Sequence, residues 1–475
     1  MTDGQSAGRA RAWHAELAWL PGDGVVPDVL IEAAGDRFSQ VTPGVPAAAA
    51  PGAVALAGLT MPGLANAHSH AFHRVLRGAT QVGTGTFWTW REQMYEAASR
   101  LDPDSYLALA TAVYAEMTLA GISCVGEFHY LHHGPGGTPY RDPNQMGRAL
   151  LEAASSAGLR ITLLDTCYLS GGLAEGGEPL PLAGPQLRFG DGTAQRWAER
   201  ADALGADEHG LLAPHARAGA AIHSVRAVPA DQMHPVVAWS HRLGAPLHAH
   251  LSEQQAENEA CLAAYRRTPA EVLYAAGALG PRSTVVHATH LVNRDLELLG
   301  GTGTYACLCP TTEADLGDGI GPAAALAAAG CPLTLGTDSQ AVVDLFEEAR
   351  RVELGERLAS TSRGHFTAGA LARAATLAGH ASLGWPDAGE IVTGALADLV
   401  TVGLDSTRLA GASAATALPS VIFAATTADV RHVVISGRDV VRDGRHLLID
   451  DVPAALSAAI SAVRSPQPGP DGGRS

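Results

Sequence analysis

The chain has 475 residues, of which 47% are hydrophobic and 17% charged, with 48 acidic against 32 basic side chains and a net charge of -16. That length exceeds what one small core organises, and that apolar share excludes a disordered chain, so a large domain with a smaller appendage is expected. Every basic residue is arginine, which excludes a phosphate-loop lysine, a lysine Schiff base and a lysine bridging two metals, and an acidic chain without basic runs has no footprint for nucleic acid or an anionic membrane.

From Ala12 to about Thr60 the sequence reads as short strands broken by glycine and proline, with a loop over Val45–Pro51. The segment Met1–Trp13 has no apolar leader core, and no run approaches the roughly 20 apolar residues that span a bilayer, so a cytoplasmic protein is expected. Eight apolar segments then follow, each leading into an alanine- and leucine-rich helical stretch: Leu64–His70, Ile122–Tyr130, Arg160–Thr166, Ala220–Val225, Ala245–Leu251, Ser283–His290, Gly303–Cys309 and Leu333–Ser339. Eight strands alternating with helices predict a closed parallel barrel.

The interval Thr80–Ala120 leaves room for a loop and one long helix, and the Gly- and Pro-rich interval Ser170–Gly192 lacks periodicity; both are expected to be active-site loops. Short strands return after Gly389, over Ile391–Val402 and Val430–Val441 with a turn at Gly437. The predicted class is therefore α/β. A (β/α)8 barrel over residues 61–385 carries a small β-sandwich domain built from both chain ends, residues 1–60 and 386–460, and residues 461–475 form a disordered tail. The six cysteines show no paired metal or disulfide spacing, and Cys307 and Cys309 read as strand core.

Ionisable residues interrupt the apolar segments at their C-terminal ends, the face where such barrels hold their chemistry. His68 and His70 are two apart on an extended segment and share a face. His250 ends the fifth segment and Asp338 the eighth. Each alone reads as a packed histidine or a turn residue, but together they offer three imidazoles and a carboxylate. That set suits one zinc ion with a position left for water, and Fe2+ or Mn2+ stay open as alternatives. Glu253, three residues beyond His250, is placed for proton transfer, and His287 on the sixth segment for polarising the atom under attack.

At this point longer strings carry a resemblance. The order His-Xaa-His, His with Glu three on, His, then Asp resembles the mononuclear aminohydrolase branch of the amidohydrolase superfamily, and the lysine-free composition agrees. Residues 65–74, 87–95, 126–133, 222–228 and 312–320 are similar to the branch's deiminases of N-formimino-glutamate, over about Met61–Glu348. The resemblance implies that His68, His70, His250 and Asp338 bind one zinc, that Glu253, His287 and Asp338 act in catalysis, and that His73, Arg91, Tyr130, His223 and Arg226 hold the substrate's glutamate part. His73 stands where some members have glutamine, which bears on a contact to the α-carboxylate. Gln340 stands where histidine is frequent, which bears on the support of Asp338.

The implied reaction is attack of a zinc-activated water on the formimino carbon, with Asp338 accepting a proton, His287 stabilising the intermediate and Glu253 delivering the proton that releases ammonia. The expected partner is a small molecule with carboxylates, which arginine's planar fork recognises well; Glu92 and Asp231 are the structural acids that Arg91 and Arg226 would otherwise pair with. Homodimerisation stays open. Two other readings remain: a nucleobase deaminase with the same metal core, and a non-catalytic barrel scaffold.

Overall fold

The protein is described by a computed structural model covering residues 11–22, 24–174 and 176–465. The N-terminal end forms β1 (Arg11–Leu20), β2 (Gly24–Ala34), β3 (Arg37–Thr42) and β4 (Val54–Pro62). Eight parallel strands follow in the barrel: β5 (Leu64–Ser69), β6 (Ile122–His129), β7 (Arg160–Cys167) and, after the hairpin β8 (Gly172–Leu173) and β9 (Pro179–Leu180) and the short β10 (Leu211–Ala213), β11 (Ala216–Ile222), β12 (Leu247–Leu251), β13 (Ser283–His287), β14 (Tyr305–Leu308) and β15 (Leu333–Leu335). The C-terminal end adds β16 (Leu399–Val402), β17 (Val430–Ile435), β18 (Arg438–Arg442) and β19 (Arg445–His446). All eight predicted barrel strands are present. Strands β6 and β7 are buried at every residue, as a parallel barrel covered by helices outside and filled by side chains inside requires.

The two chain ends form one sheet in the order β19-β18-β17-β16-β4-β1-β2-β3. It curls back on itself. Phe38 on β3 exchanges backbone hydrogen bonds with Gly394 and Ala395, just before β16, and the curl encloses Trp13, Ile31, Phe38, Leu56 and Leu399. A curled sheet thus supplies the two facing layers expected of the appendage. Its junction with the barrel is a buried ion pair: Arg160, the first residue of β7, donates from Nε to Asp398 Oδ2 at 2.7 Å and from Nη2 to Oδ1 at 3.2 Å. Asp398 also accepts from the Ser436 amide at 2.7 Å.

Where the structure departs from expectation, local chemistry explains it. The single helix expected in Thr80–Ala120 is two, α1 (Phe87–Ser99) and α2 (Pro103–Leu119), because Pro103 cannot continue a helix and Asp102 caps the second by accepting from the Ser105 amide. Strand β11 begins at Ala216, earlier than predicted, since Ala216–Ala221 is alanine and glycine interrupted by Arg217 and carries no strand-like apolar signal. Ile391–Val402 is strand only from Leu399, because Gly394 turns with φ 92° and the following residues bond to β3 instead. Residues 461–464, assigned to the tail, are the last turn of a helix, Val452–Arg464, whose Arg464 donates to the Val75 carbonyl; the rest of the predicted tail, from 466, lies outside the described residues, as do residues 1–10.

The barrel closes at a seam between β5 and the segment that follows β15. The His68 carbonyl accepts from the amides of Thr337 and Asp338 at 3.1 and 3.0 Å, and the His70 amide donates back to the Asp338 carbonyl at 3.2 Å. Asn66 brackets the seam, donating from Nδ2 to Thr337 Oγ1 at 2.7 Å and accepting from the Thr337 amide at 2.9 Å. Gly336 permits the close approach: a Cβ there would stand 2.7 Å from His68 Cβ and 2.9 Å from its carbonyl oxygen.

Removing either set of contacts has an expected cost. Asp398→Ala leaves Arg160 buried and unpaired and should cost about 3–5 kcal/mol of stability, read as a lower urea midpoint; an unchanged midpoint would show that the pair is dispensable. Asn66→Ala strands the buried Thr337 amide at a cost of about 1–3 kcal/mol, and because the seam carries His68, His70 and Asp338 it should also lower bound metal per chain by elemental analysis. Lost stability with full metal content would uncouple the seam from the cluster.

Candidate metal centre and active site

Because β5, β12 and the residues after β15 end on the same side of the barrel, they bring His68, His70, His250 and Asp338 together, all buried, with one ligand atom from each lying within 4.8 Å of the others. His250 Nε2 is 3.1 Å from His68 Nε2, and Asp338 Oδ1 lies 3.2 Å from His68 Nε2 and 3.4 Å from His70 Nε2. The outer nitrogens fix the tautomers. His70 Nδ1 is 2.9 Å from the Phe128 carbonyl and His250 Nδ1 is 2.9 Å from the His223 carbonyl; a carbonyl only accepts, so each Nδ1 carries the hydrogen and each Nε2 turns a lone pair into the cluster.

Electrostatics keep these donors in their binding forms. Burial lowers the pKa of His68, and burial reinforced by neighbouring imidazoles takes His70 and His250 well below the ordinary histidine value, so the rings are neutral. Burial alone would raise Asp338, but its hydrogen bond with His68 and the charge of His287 hold it well below the usual carboxylate range. Converging lone pairs beside an ionised carboxylate repel one another until a cation stands among them. Three imidazoles and one carboxylate are a donor set for a divalent metal of the zinc type.

His287, at the end of β13, is the opposite case. Burial opposes its charge, yet the carboxylates of Glu253, Glu313 and Asp338 raise it well above the ordinary value. Its Nε2 lies 3.6 Å from Glu253 Oε1 and 3.9 Å from Asp338 Oδ2, while Nδ1 lies 3.4 Å from Glu313 Oε1. Glu313 therefore orients the ring from behind. Left-handed backbone collects around this site: Ser252, His287, Ala288, Asp338 and Gln340 have φ of 51°, 70°, 52°, 41° and 59°, each next to a strand end that carries a clustered side chain.

Of the eleven residues singled out from the sequence, all but His68 line one cavity, and His68 lies buried beneath it. Tyr130 donates toward Met94 and lies 3.0 Å from His73 Nε2; His73 is pushed down to about 3 by burial and is neutral. The His223 ring stands 4.4 Å from Tyr168 and 5.0 Å from His250. The two arginines differ. Arg226 pairs with neither Asp231 nor a free space but with Glu253 at 3.3 Å and Glu257 at 3.5 Å. Arg91 hydrogen-bonds to the Tyr95 and Tyr168 hydroxyls and the Gly171 carbonyl, and among the described residues no carboxylate pairs with it.

The contacts of Gln340, and several further supporting residues, were not legible in the sequence. Gln340 supports the backbone rather than the carboxylate of Asp338: its amide donates to Ser69 Oγ at 2.9 Å and to the Asp338 carbonyl at 3.2 Å. Glu127 accepts from Ser69 Oγ at 2.8 Å and from the Ala71 amide at 2.7 Å, locking the chain on either side of His70, and burial pushes its carboxyl up to about 7. Asp318 accepts from the Gln254 side chain, next to Glu253, and is pushed up to about 8 by burial and then by the Glu253 charge. Glu127, Glu313 and Asp318 all fall within the strings 126–133 and 312–320, so a signal existed, but their partners are far away in sequence.

The sequence profile of the amidohydrolase family matches residues 59–440. The chain is 38% identical over 446 residues to a formimidoylglutamate deiminase of Pseudomonas aeruginosa, covering 92% of this chain and 95% of that protein. It is 30% identical over 365 residues to an 8-oxoguanine deaminase of the same organism, covering 74% and 76%. A crystal structure of an amidohydrolase from Brucella melitensis superposes with a TM-score of 0.86 at 32% identity, covering 96% of this chain and all of that one. Fold, clustered donors and sequence therefore agree: this chain belongs to the amidohydrolase family.

Proposed function

We propose that this protein is a zinc-dependent deiminase that hydrolyses N-formimino-L-glutamate to N-formyl-L-glutamate and ammonia, a step of histidine degradation. The observation that carries this reading is Arg91, a cation without a carboxylate partner among the described residues, on the wall of the cavity that holds the metal-type cluster. A substrate with carboxylates supplies what Arg91 lacks. The 38% identical relative, itself a formimidoylglutamate deiminase, supports the substrate. The 8-oxoguanine deaminase relative and the aromatic wall of Phe87 and Trp90 favour a nucleobase as the second reading.

A bound divalent metal would supply an activated water and an electrophile in this site. His68, His70, His250 and Asp338 would hold it. Asp338, ionised and 3.9 Å from His287 Nε2, takes the proton from the attacking water and orients it. His287, charged and held by Glu313, donates a hydrogen bond to the water-derived oxygen as it adds to the amidine carbon. Glu253 reaches toward the same space beside His287 and relays the water's second proton, while Asp338 releases the first, so that the nitrogen leaves as ammonia. The surrounding side chains exclude water from this transfer.

Ammonia release from N-formimino-L-glutamate, measured beside a panel of nucleobases, tests the substrate; preference for a nucleobase would overturn the reading. Purified protein should hold about one divalent metal per chain, and chelation should abolish turnover. Two tight metals, or activity after complete removal, would contradict it. Asp338→Asn and Glu253→Gln should each lower kcat by a factor on the order of hundreds with the fold intact; near-normal turnover would remove the assigned role.

The two arginines should separate. Removing one arm of a buried charge pair costs about 2–5 kcal/mol, so Arg91→Ala should lower kcat/KM for N-formimino-glutamate by roughly 30-fold or more and affect a small formamidine little. Arg226→Ala also frees Glu253 and should depress turnover of both substrates. Identical selectivity changes in the two variants would refute this division.

A further inference from the structure

We propose that Arg188 is a positioning residue for the reaction: from behind the cavity wall, its guanidinium fixes how α1, the turn after β6 and the loop after β7 stand against the substrate. The inference takes its substrate from the deiminase reading above, on which it rests, and adds a residue that lines neither the cavity nor the metal-type cluster.

Three segments of chain meet on this one side chain, which is buried in the loop after β7. Its Nε donates to the His133 carbonyl at 2.8 Å, its Nη1 to the Ala98 carbonyl, and its Nη2 to the Leu101 carbonyl at 2.6 Å and the Tyr140 hydroxyl at 3.5 Å. The Arg188 carbonyl in turn accepts from the amides of His132 and His133 at 3.1 and 2.9 Å. Ala98 lies in the last turn of α1 and Leu101 between α1 and α2, where a helix end leaves carbonyls without partners and its dipole is negative. Among the described residues no carboxylate forms an ion pair with Arg188, so carbonyl oxygens of the other two segments hold its charge. A guanidinium's planar fork reaches them together. The single ammonium of a lysine cannot.

Each segment carries a piece of the cavity wall. Helix α1 supplies Phe87, Trp90 and Met94, the turn after β6 supplies Tyr130, and the loop supplies Phe189, next to Arg188 itself. The Phe189 and Tyr130 rings stand 5.0 Å apart, and the Tyr130 hydroxyl donates to the Met94 sulfur at 3.6 Å, so displacing one piece disturbs the others. Little else anchors α1. Its buried residues are Phe87, Met94, Ala97 and Ala98, and residues 81–86 leading into it are exposed. The metal-type ligands stand on β5, on β12 and after β15, and none of them bonds to Arg188. Loosening the clamp therefore changes how substrate is held and leaves the cluster in place.

The test uses the full-length, metal-loaded protein and its Arg188→Lys and Arg188→Met variants. KM for N-formimino-L-glutamate should rise about tenfold in both, with kcat and metal per chain nearly unchanged, as loss of binding common to ground and transition states does. Hydrogen exchange of the free proteins, followed by mass spectrometry, should show α1 amides exchanging about tenfold faster in the variants while those of β5 and β12 keep their rates. A merely structural role would lower kcat, metal content and exchange protection throughout the barrel and leave KM unchanged, which overturns the proposal. An Arg188→Lys variant indistinguishable from wild type also overturns it, because charge without the fork would then suffice. If the wild-type chain does not turn over N-formimino-L-glutamate, the deiminase reading falls, and exchange in α1 still decides whether Arg188 sets its place. Should Arg188→Met fail to fold, Arg188→Lys keeps the buried charge and decides the matter by the same measurements.

Discussion

The His68 carbonyl, shared by the amides of Thr337 and Asp338, is the constraint from which the rest of the site follows. A parallel barrel needs its last strand returned to its first, and here β15 ends at Leu335, too early to complete the ladder by itself. The chain after it turns through left-handed backbone at Asp338 and Gln340 and pairs with β5 at Ser69. Closure and ligand placement are therefore one event: the backbone bonds that shut the barrel also bring the Asp338 carboxylate up to His68 and His70. Asn66, Gln340, Ser69 and Glu127 form a continuous chain of buried hydrogen bonds around this seam, so that each strained residue is held from several sides.

Burial does different work on the two sides of the cavity. On the cluster side it neutralises imidazoles, which are useful to a cation only as neutral donors, while the surrounding histidines keep Asp338 ionised against the same burial. On the far side three carboxylates keep His287 charged. One cavity thus contains a histidine built to donate a proton and histidines built to donate lone pairs, distinguished by whether carboxylates or imidazoles surround them. Arg226 belongs to the first side through Glu253, and Arg91 to neither, since it hydrogen-bonds to the Tyr95 and Tyr168 hydroxyls and the Gly171 carbonyl and lies beside the Trp88 ring.

The appendage connects to this chemistry only indirectly. Arg160 starts β7 and Asp398 precedes β16, so their pair ties a barrel strand to the curled sheet at the barrel's N-terminal end, away from the strand ends that hold the cluster. The terminal helix Val452–Arg464 returns instead to the residues after β5, where Arg464 reaches the Val75 carbonyl. Among the described residues, the curled sheet and the terminal helix thereby brace the barrel without lining the cavity.

By itself the sequence determined the eight-stranded barrel and the members of the buried donor cluster, because both are written in short-range patterns: apolar segments at regular intervals, and ionisable residues breaking them at one end. His68 and His70 two apart, and Glu253 three beyond His250, are spacings that survive without any knowledge of packing. Tertiary structure alone decided what the remaining polar residues do. Glu313 with His287, Glu127 with Ser69, Gln186 with Tyr95, and Arg226 with Glu253 rather than Asp231 are pairs whose members lie tens of residues apart. It also decided where β11 begins and where β16 does, since small residues and a turning glycine lack the alternation that marks a strand. A hydrogen bond between distant side chains leaves no periodic trace in the chain, and its existence depends on the barrel closing first.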